Sequence, residues 1–291
     1  MTWKRVATAA VLIPVVLVCV LSGYTQLFSL TLALVVLLAL FEFFSLGDAI
    51  GHRAYRFWTA ACALALVYVQ WLATIIPPDA LGEQVPRFQQ MWRFMGGPPR
   101  VHDVFFIFLL GIAALTLWTK RPLVEALPAA GISCSGLLLI AFPLSYAVLL
   151  EGADSIGRWI LLFALVITWM GDTAAYFVGR AIGKHKLAPA LSPKKTWEGT
   201  IASMLAAILV AFVFAKYVNV PLVHFLGMAV VGNFAGQAGD LLESAYKRSA
   251  GVKDSGSLLP GHGGVLDRID ALILTIPVVW YYWVWIYLPN R

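Results

Sequence analysis

Residues 27–46, LFSLTLALVVLLALFEFFSL, carry a single charged side chain, Glu42. As a helix this stretch rises about 30 Å, the thickness of bilayer hydrocarbon. The rest of the chain has the same character. Of its 291 residues 60% are hydrophobic and 12% charged, and the mean hydropathy is +0.82. A soluble domain carries about 25% charged residues, which excludes a water-soluble globule. Apolar runs recur at approximately 6–23, 27–46, 57–77, 103–119, 130–150, 158–179, 199–217, 221–239 and 270–288. They predict an all-α, polytopic membrane bundle of about nine transmembrane helices, because an open sheet edge cannot satisfy its backbone in lipid. The chain shows no tandem repeat or Ser/Gly linker. One integral domain is expected over 1–291, with N-terminal spans in 1–155 and catalytic spans and polar loops in 156–291.

The distribution of charge says more than its total. The net charge is +6, which in a membrane protein reflects basic loops on one side and does not require nucleic acid. With the N-terminus cytoplasmic, fifteen lysines and arginines fall on that side and six on the other. This bias predicts N-terminus in, C-terminus out, and cytoplasmic loops after spans six and eight. Lys4 and Arg5 precede the first run as in a secretory signal, but the run is long for one and no Ala-x-Ala site follows, so a retained helix is expected. Cys19, Cys62 and Cys134 lie singly in apolar runs, which excludes a disulfide framework or zinc site. Residues 78–102 read as an interfacial hairpin or lid, and Trp280, Trp283 and Trp285 as an aromatic belt.

Acidic residues in or beside spans are costly and point to function. The candidates are Glu42, Asp172, Asp240 and Asp267. Asp172 is followed at helical spacings by Tyr176, Gly179 and Gly183, a face with a carboxylate, a phenol and two points of close approach. In the next loop Ser192-Pro193 predicts an N-cap, with Lys194 and Lys195 in a first helical turn where an anion would sit. The richest segment runs from Gly239 to Asp270. Asp240, Ser244 and Lys247 form a helical stripe, a glycine-rich turn follows at 260–264, and Asp267 and Asp270 open the last span. Carboxylates from two helices beside Lys247, Arg248, Lys253 and Arg268 suit Mg²⁺ and phosphates. His262 fits either a ligand or acid–base role, or the orientation of the turn. Neither GxxxxGK[ST] nor a strand-linked GxGxxG occurs, so a nucleotide would be held by another construction.

Ser244-Ala-Tyr-Lys247-Arg248, Lys253-Asp254 and His262-Gly-Gly-Val-Leu-Asp267-Arg268-Ile-Asp270 resemble the signature of the phosphatidate cytidylyltransferases, or CDP-diacylglycerol synthases. Asp172-Thr-x-Ala-Tyr176 with Gly179-Arg180, and Ser192-Pro-Lys194-Lys195-Thr-x-Glu198-Gly, are similar to the family's upstream blocks. Together these blocks cover about a third of the chain, and Glu42 is similar to an acidic position in the family's second span. The resemblance implies transfer of CMP from CTP to phosphatidate, giving CDP-diacylglycerol and pyrophosphate in phospholipid biosynthesis. It also implies Mg²⁺, possible company of a monovalent cation, metal-binding aspartates matching Asp240 and Asp267, a homodimer, and a bacterial inner-membrane enzyme working at the cytoplasmic face. On this reading Lys247, Arg248, Lys253, Asp254, His262, Arg268 and Asp270 are catalytic. Asp172, Tyr176, Lys194, Lys195, Glu198 and Ser244 bind substrate. An ion-coupled transporter is the rival from another class, and a CTP-dependent enzyme acting on a different lipid is the nearer one.

Overall fold

A computed structural model of the chain describes residues 2–76, 97–153, 155–259, 261 and 263–290. His262 and most of the expected hairpin at 78–102 lie outside these residues. The helices are α1 (Thr2–Leu21), α2 (Thr25–Ala49), α3 (Arg56–Ile75) and α4 (Val101–Trp118). Next comes a continuous rod made of α5 (Ala126–Gly136), a π-turn (Leu137–Ala141) and α6 (Phe142–Ala153). Then follow α7 (Ser155–Ile182), a hairpin of β1 (Lys186–Ala188) and β2 (Ser192–Thr196), α8 (Trp197–Tyr217), α9 (Leu222–Ser249) and α10 (Leu266–Tyr282). The π-turn has a local cause: Pro143 offers no N–H to the carbonyl four residues before it, and the helix widens there.

Each of the nine expected spans coincides with a helix, and among the described residues seven stretches are long and apolar enough to cross a membrane. The chain is a multi-pass membrane protein. Its surface agrees: Leu30, Phe106 and Leu209 stand exposed on the outer faces of their spans, which hydrocarbon tolerates and water does not. Inside, Phe44, Leu66, Phe163, Phe225 and Trp283 are fully buried. α9 is less apolar than the seven because Asn233, Gln237 and Asp240 interrupt it.

Small residues bring α9 and α10 together, the usual device where lipid supplies no hydrophobic drive between helices. A Cβ on Gly239 would lie 2.6 Å from the Asp270 carbonyl oxygen, and one on Gly236 would lie 2.7 Å from Thr275 Oγ1. This close approach places Asp240 opposite the start of α10.

The hairpin corrects one expectation. Ser192 does not cap a helix, and Lys194 and Lys195 lie in the extended strand β2, paired with β1 through Lys186–Thr196 and Ala188–Ser192. The cap is Thr196, whose Oγ1 accepts from Gly199 N at 3.2 Å. The strand prevails because its far end is closed by non-local bonds. Trp197 N–H donates to His185 O (2.9 Å), and Glu198 accepts from Lys184 N (3.1 Å) and His185 N (3.2 Å).

The loops after spans two, four, six and eight gather at one end of the bundle, as the basic count requires. Arg121 Nη1 donates to Arg53 O (2.6 Å), and Arg248 Nε donates to Leu191 O (3.2 Å). At the other end Arg158 packs over Gly23.

The α9–α10 contact is directly testable. Gly239→Ala should lower thermal stability in detergent by about 1–3 kcal/mol, because the new methyl meets backbone that cannot yield. Gly131→Ala, where a Cβ meets nothing within 4 Å, should be neutral or stabilising. Equal melting temperatures for the two variants would refute the close-packing account.

Candidate active site at the loop end of the bundle

The site is assembled from residues that lie far apart in sequence. α7 contributes Asp172 and Tyr176, β2 contributes Lys194 and Lys195, and α9 contributes Gln237 and Asp240. Together they line a cavity of about 290 Å³. Lys195 Nζ lies 2.6 Å from Asp240 Oδ2. Below it a polar ladder runs between helices: Gln237 Nε2 donates to Asn233 Oδ1 (2.7 Å), and Asn233 Nδ2 donates to Ser203 Oγ (2.8 Å). Gly171 admits this ladder, since a Cβ there would lie 2.6 Å from Ser203 Oγ and 2.9 Å from Asn233 Nδ2. The ladder went unread in the sequence, where these residues look like isolated polar interruptions of two spans.

The second half of the site is the signature segment. Lys247 Nζ lies 2.7 Å from Asp267 Oδ1 and also pairs with buried Glu243. Asp267 Oδ2 accepts from Gly264 N (2.8 Å) and Ser255 N (3.0 Å), so this carboxylate organises the loop that precedes α10. Acceptors in the first turn of a helix are favoured by its free N–H groups and dipole. Glu243 lies beyond the expected span 221–239. Burial pushes its carboxyl up to about 7, with Lys247 pulling the other way. Ser244 is buried, with its Oγ 3.5 Å from Asp240 Oδ1. Asp270 stands between the two halves, within electrostatic reach of Asp240, Glu243 and Asp172.

Other expected site residues take different places. Arg248 is a brace: Nη1 donates to Val252 O (3.2 Å) while Nε reaches the hairpin. Glu198 turns to the backbone of 184–185 and to His185 Nδ1 (2.7 Å), outside the residues lining the cavity. The Tyr176 hydroxyl accepts from Arg180 Nη1 at 3.0 Å. Lys253, Asp254 and Arg268 are exposed at the loop end. Arg268 is near enough to Asp172 to offset its charge.

Glu42 acquires a definite task. Its carboxylate accepts from Val265 N (2.9 Å), Leu266 N (2.8 Å) and Ser255 Oγ (3.1 Å). An acid from α2 therefore caps α10 from more than 200 residues away, and Gly264 leaves no room for a side chain against it. Gly261 and Gly263 have φ of +79° and +81°, conformations that glycine adopts without strain.

The sequence model of the Cytidylyltransferase family matches residues 3–286. The chain belongs to this family. Among curated relatives, a phosphatidate cytidylyltransferase of Haemophilus influenzae is 45% identical over 133 residues, covering 44% of this chain and 46% of the relative. Enzymes of the same name from Staphylococcus saprophyticus and Staphylococcus epidermidis are 44% identical over 125 residues and 48% over 121. These matches cover 42% and 41% of this chain and 48% and 46% of the relatives. The matches span about half the length of these relatives. The full-length family match includes α2, so the helix bearing Glu42 belongs to the family unit along with the signature.

The capping role has a local signature. Glu42→Ala leaves two helix-terminal N–H groups without their acceptor, at about 1–3 kcal/mol. Amide hydrogen exchange at 263–267 should accelerate in that variant and accelerate less in Glu42→Gln, which keeps one acceptor. Unchanged exchange in Glu42→Ala would remove the clasp.

Proposed function

We propose that this chain transfers CMP from CTP to phosphatidate, giving CDP-diacylglycerol and pyrophosphate for phospholipid biosynthesis. The observation that carries this reading is the convergence, at one end of a membrane-length bundle, of the Asp172–Lys195–Asp240 cavity with the Lys247–Asp267 pair. Both substrates of such a reaction are polyanions. One is water-soluble and the other is anchored in lipid, and a polar site at the rim of an apolar bundle meets both requirements. The names of the relatives support the choice of substrates.

The chemistry asks for little proton transfer. A phosphatidate phosphate oxygen, already anionic, attacks the α-phosphorus of CTP. The new P–O bond forms as the bond from the α-phosphorus to the bridging oxygen breaks, and that electron pair leaves with pyrophosphate. What the protein must supply is positioning and positive charge. Lys194 and Lys195 on a strand braced at both ends, with Lys247 and Arg268 across the site, are suited to hold phosphate oxygens in line. Asp240 and Asp267 each keep a lysine ammonium against a carboxylate, and Asp172 and Asp270 add negative charge nearby. Mg²⁺ prefers oxygen ligands and is commonly held by one or two carboxylates together with substrate phosphates. No group of three or more such side chains converges among the described residues, so Asp240 and Asp267 would hold it only with phosphate oxygens. Bound there, Mg²⁺ would polarise phosphate oxygens and stabilise the leaving pyrophosphate.

The basic-residue count supports a cytoplasmic site, where CTP is, and the resemblance supports a bacterial inner membrane. The resemblance supports a homodimer. The direct test incubates purified protein with labelled CTP, phosphatidate and Mg²⁺. CDP-lipid should form, and folded protein that forms none overturns the proposal. Asp240→Asn and Asp267→Asn should each cost about 10²-fold or more in turnover, the scale for removing one group that balances transition-state charge. Lys194→Ala should raise the KM for CTP more than that for phosphatidate; the reverse pattern would assign the hairpin to the lipid.

A further inference from the structure

A second polar cavity, of about 880 Å³, opens where the C-terminal end of α2, the N-terminal end of α3 and the C-terminal end of α4 meet. Asp48, Arg53, Tyr55, Arg56, Leu115 and Arg121 line it, and it shares no lining residue with the site above. We propose that this cavity binds the phosphate of an anionic glycerophospholipid.

Its depth in the membrane is set by the helices. Thr25–Ala49, Arg56–Ile75 and Val101–Trp118 are all of membrane-crossing length and character, so their shared mouth falls at the level of lipid headgroups. Its charge is unbalanced, with three guanidinium groups against one carboxylate. Arg56 pairs with Asp48. Arg53 makes no side-chain ion pair or hydrogen bond among the described residues, and Arg121 pairs with no carboxylate there.

The cavity is also built in advance. Arg121 Nη1 is fixed on Arg53 O at 2.6 Å, with its guanidinium 5.1 Å from the Tyr55 ring centre. Tyr55 is itself fastened twice, its N–H donating to Ser133 Oγ (2.8 Å) and its hydroxyl meeting Thr116 Oγ1 (3.2 Å). Side chains held this way lose little freedom when an anion arrives, and guanidinium matches phosphate geometry well. Phe57 and Leu115 also line the cavity and stand exposed on the spans. A free phosphate would meet the arginines alone. A lipid would meet the arginines with its phosphate and this apolar border with its chains, which favours the lipid.

The test uses the full chain in phosphatidylcholine nanodiscs carrying a photoreactive phosphatidylglycerol, with crosslinked peptides mapped by mass spectrometry. Because it reads binding alone, its outcome is independent of the proposed reaction. Labelling within 53–58 and 115–121 should exceed that from an equally photoreactive phosphatidylcholine by about fivefold, the effect of one basic side chain at an anionic surface. Arg53→Ala should lose about the same factor, because that side chain braces nothing, and Arg121→Lys serves as a folded control that keeps its charge. Equal labelling by the two lipids overturns the proposal, as does labelling untouched by Arg53→Ala in a folded protein. Displacement of the lipid probe by inorganic phosphate alone would assign the cavity to a soluble anion and overturn the lipid assignment.

Discussion

Negative charge buried in an apolar bundle has to be balanced where it lies, and this requirement organises one end of the molecule. Glu42, Glu243, Asp172, Asp240, Asp267 and Asp270 come from four helices and would be prohibitive singly in hydrocarbon. Four of them have a direct partner, a lysine, backbone N–H groups or both, while Asp172 and Asp270 stand within electrostatic reach of the others. Glu42 takes two backbone N–H groups at the start of α10, Asp267 takes two more and a lysine, Glu243 shares that lysine, and Asp240 takes Lys195 from the hairpin. Removing one compensating group leaves a buried charge unpaired, so the loops are tied to the helices by the same bonds that make the site.

The spans were legible because a run of about twenty apolar residues has few alternatives in lipid. Leu27 to Leu46 could hardly be anything but a helix, and the basic residues between runs divide into the two ends that the bundle builds. Individual site residues were legible as chemistry but not as pairs. Asp240 and Lys195 are 45 positions apart, and Glu42 and Leu266 are 224 apart. No local pattern records such distances. The hairpin shows how local signals mislead. Ser192-Pro193 reads as a helix start, and only pairing with β1 and the reach of Glu198 back to 184–185 move that start to Thr196. Asn233 gives no local signal because its partner, Ser203, is on another helix, and Gln237 joins the ladder only through Asn233.

The two halves of the site are mechanically joined, which bears on how they divide the work. Arg248, at the end of the helix carrying Asp240, holds the hairpin at Leu191, and the same hairpin presents Lys195 to Asp240. The signature arginine thus fixes the strand from which two lysines reach the cavity. Lys247, one residue earlier, faces Asp267 instead. Adjacent positions on one helix turn therefore serve opposite sides of the site, which follows from the roughly 100° between neighbouring residues on a 3.6-residue helix. A charged pair in sequence becomes a brace and a site cation in space. The hairpin and the signature then form one unit with α9 as its spine, so a change in the strand's position would alter the counter-charge at Asp240 in the same movement.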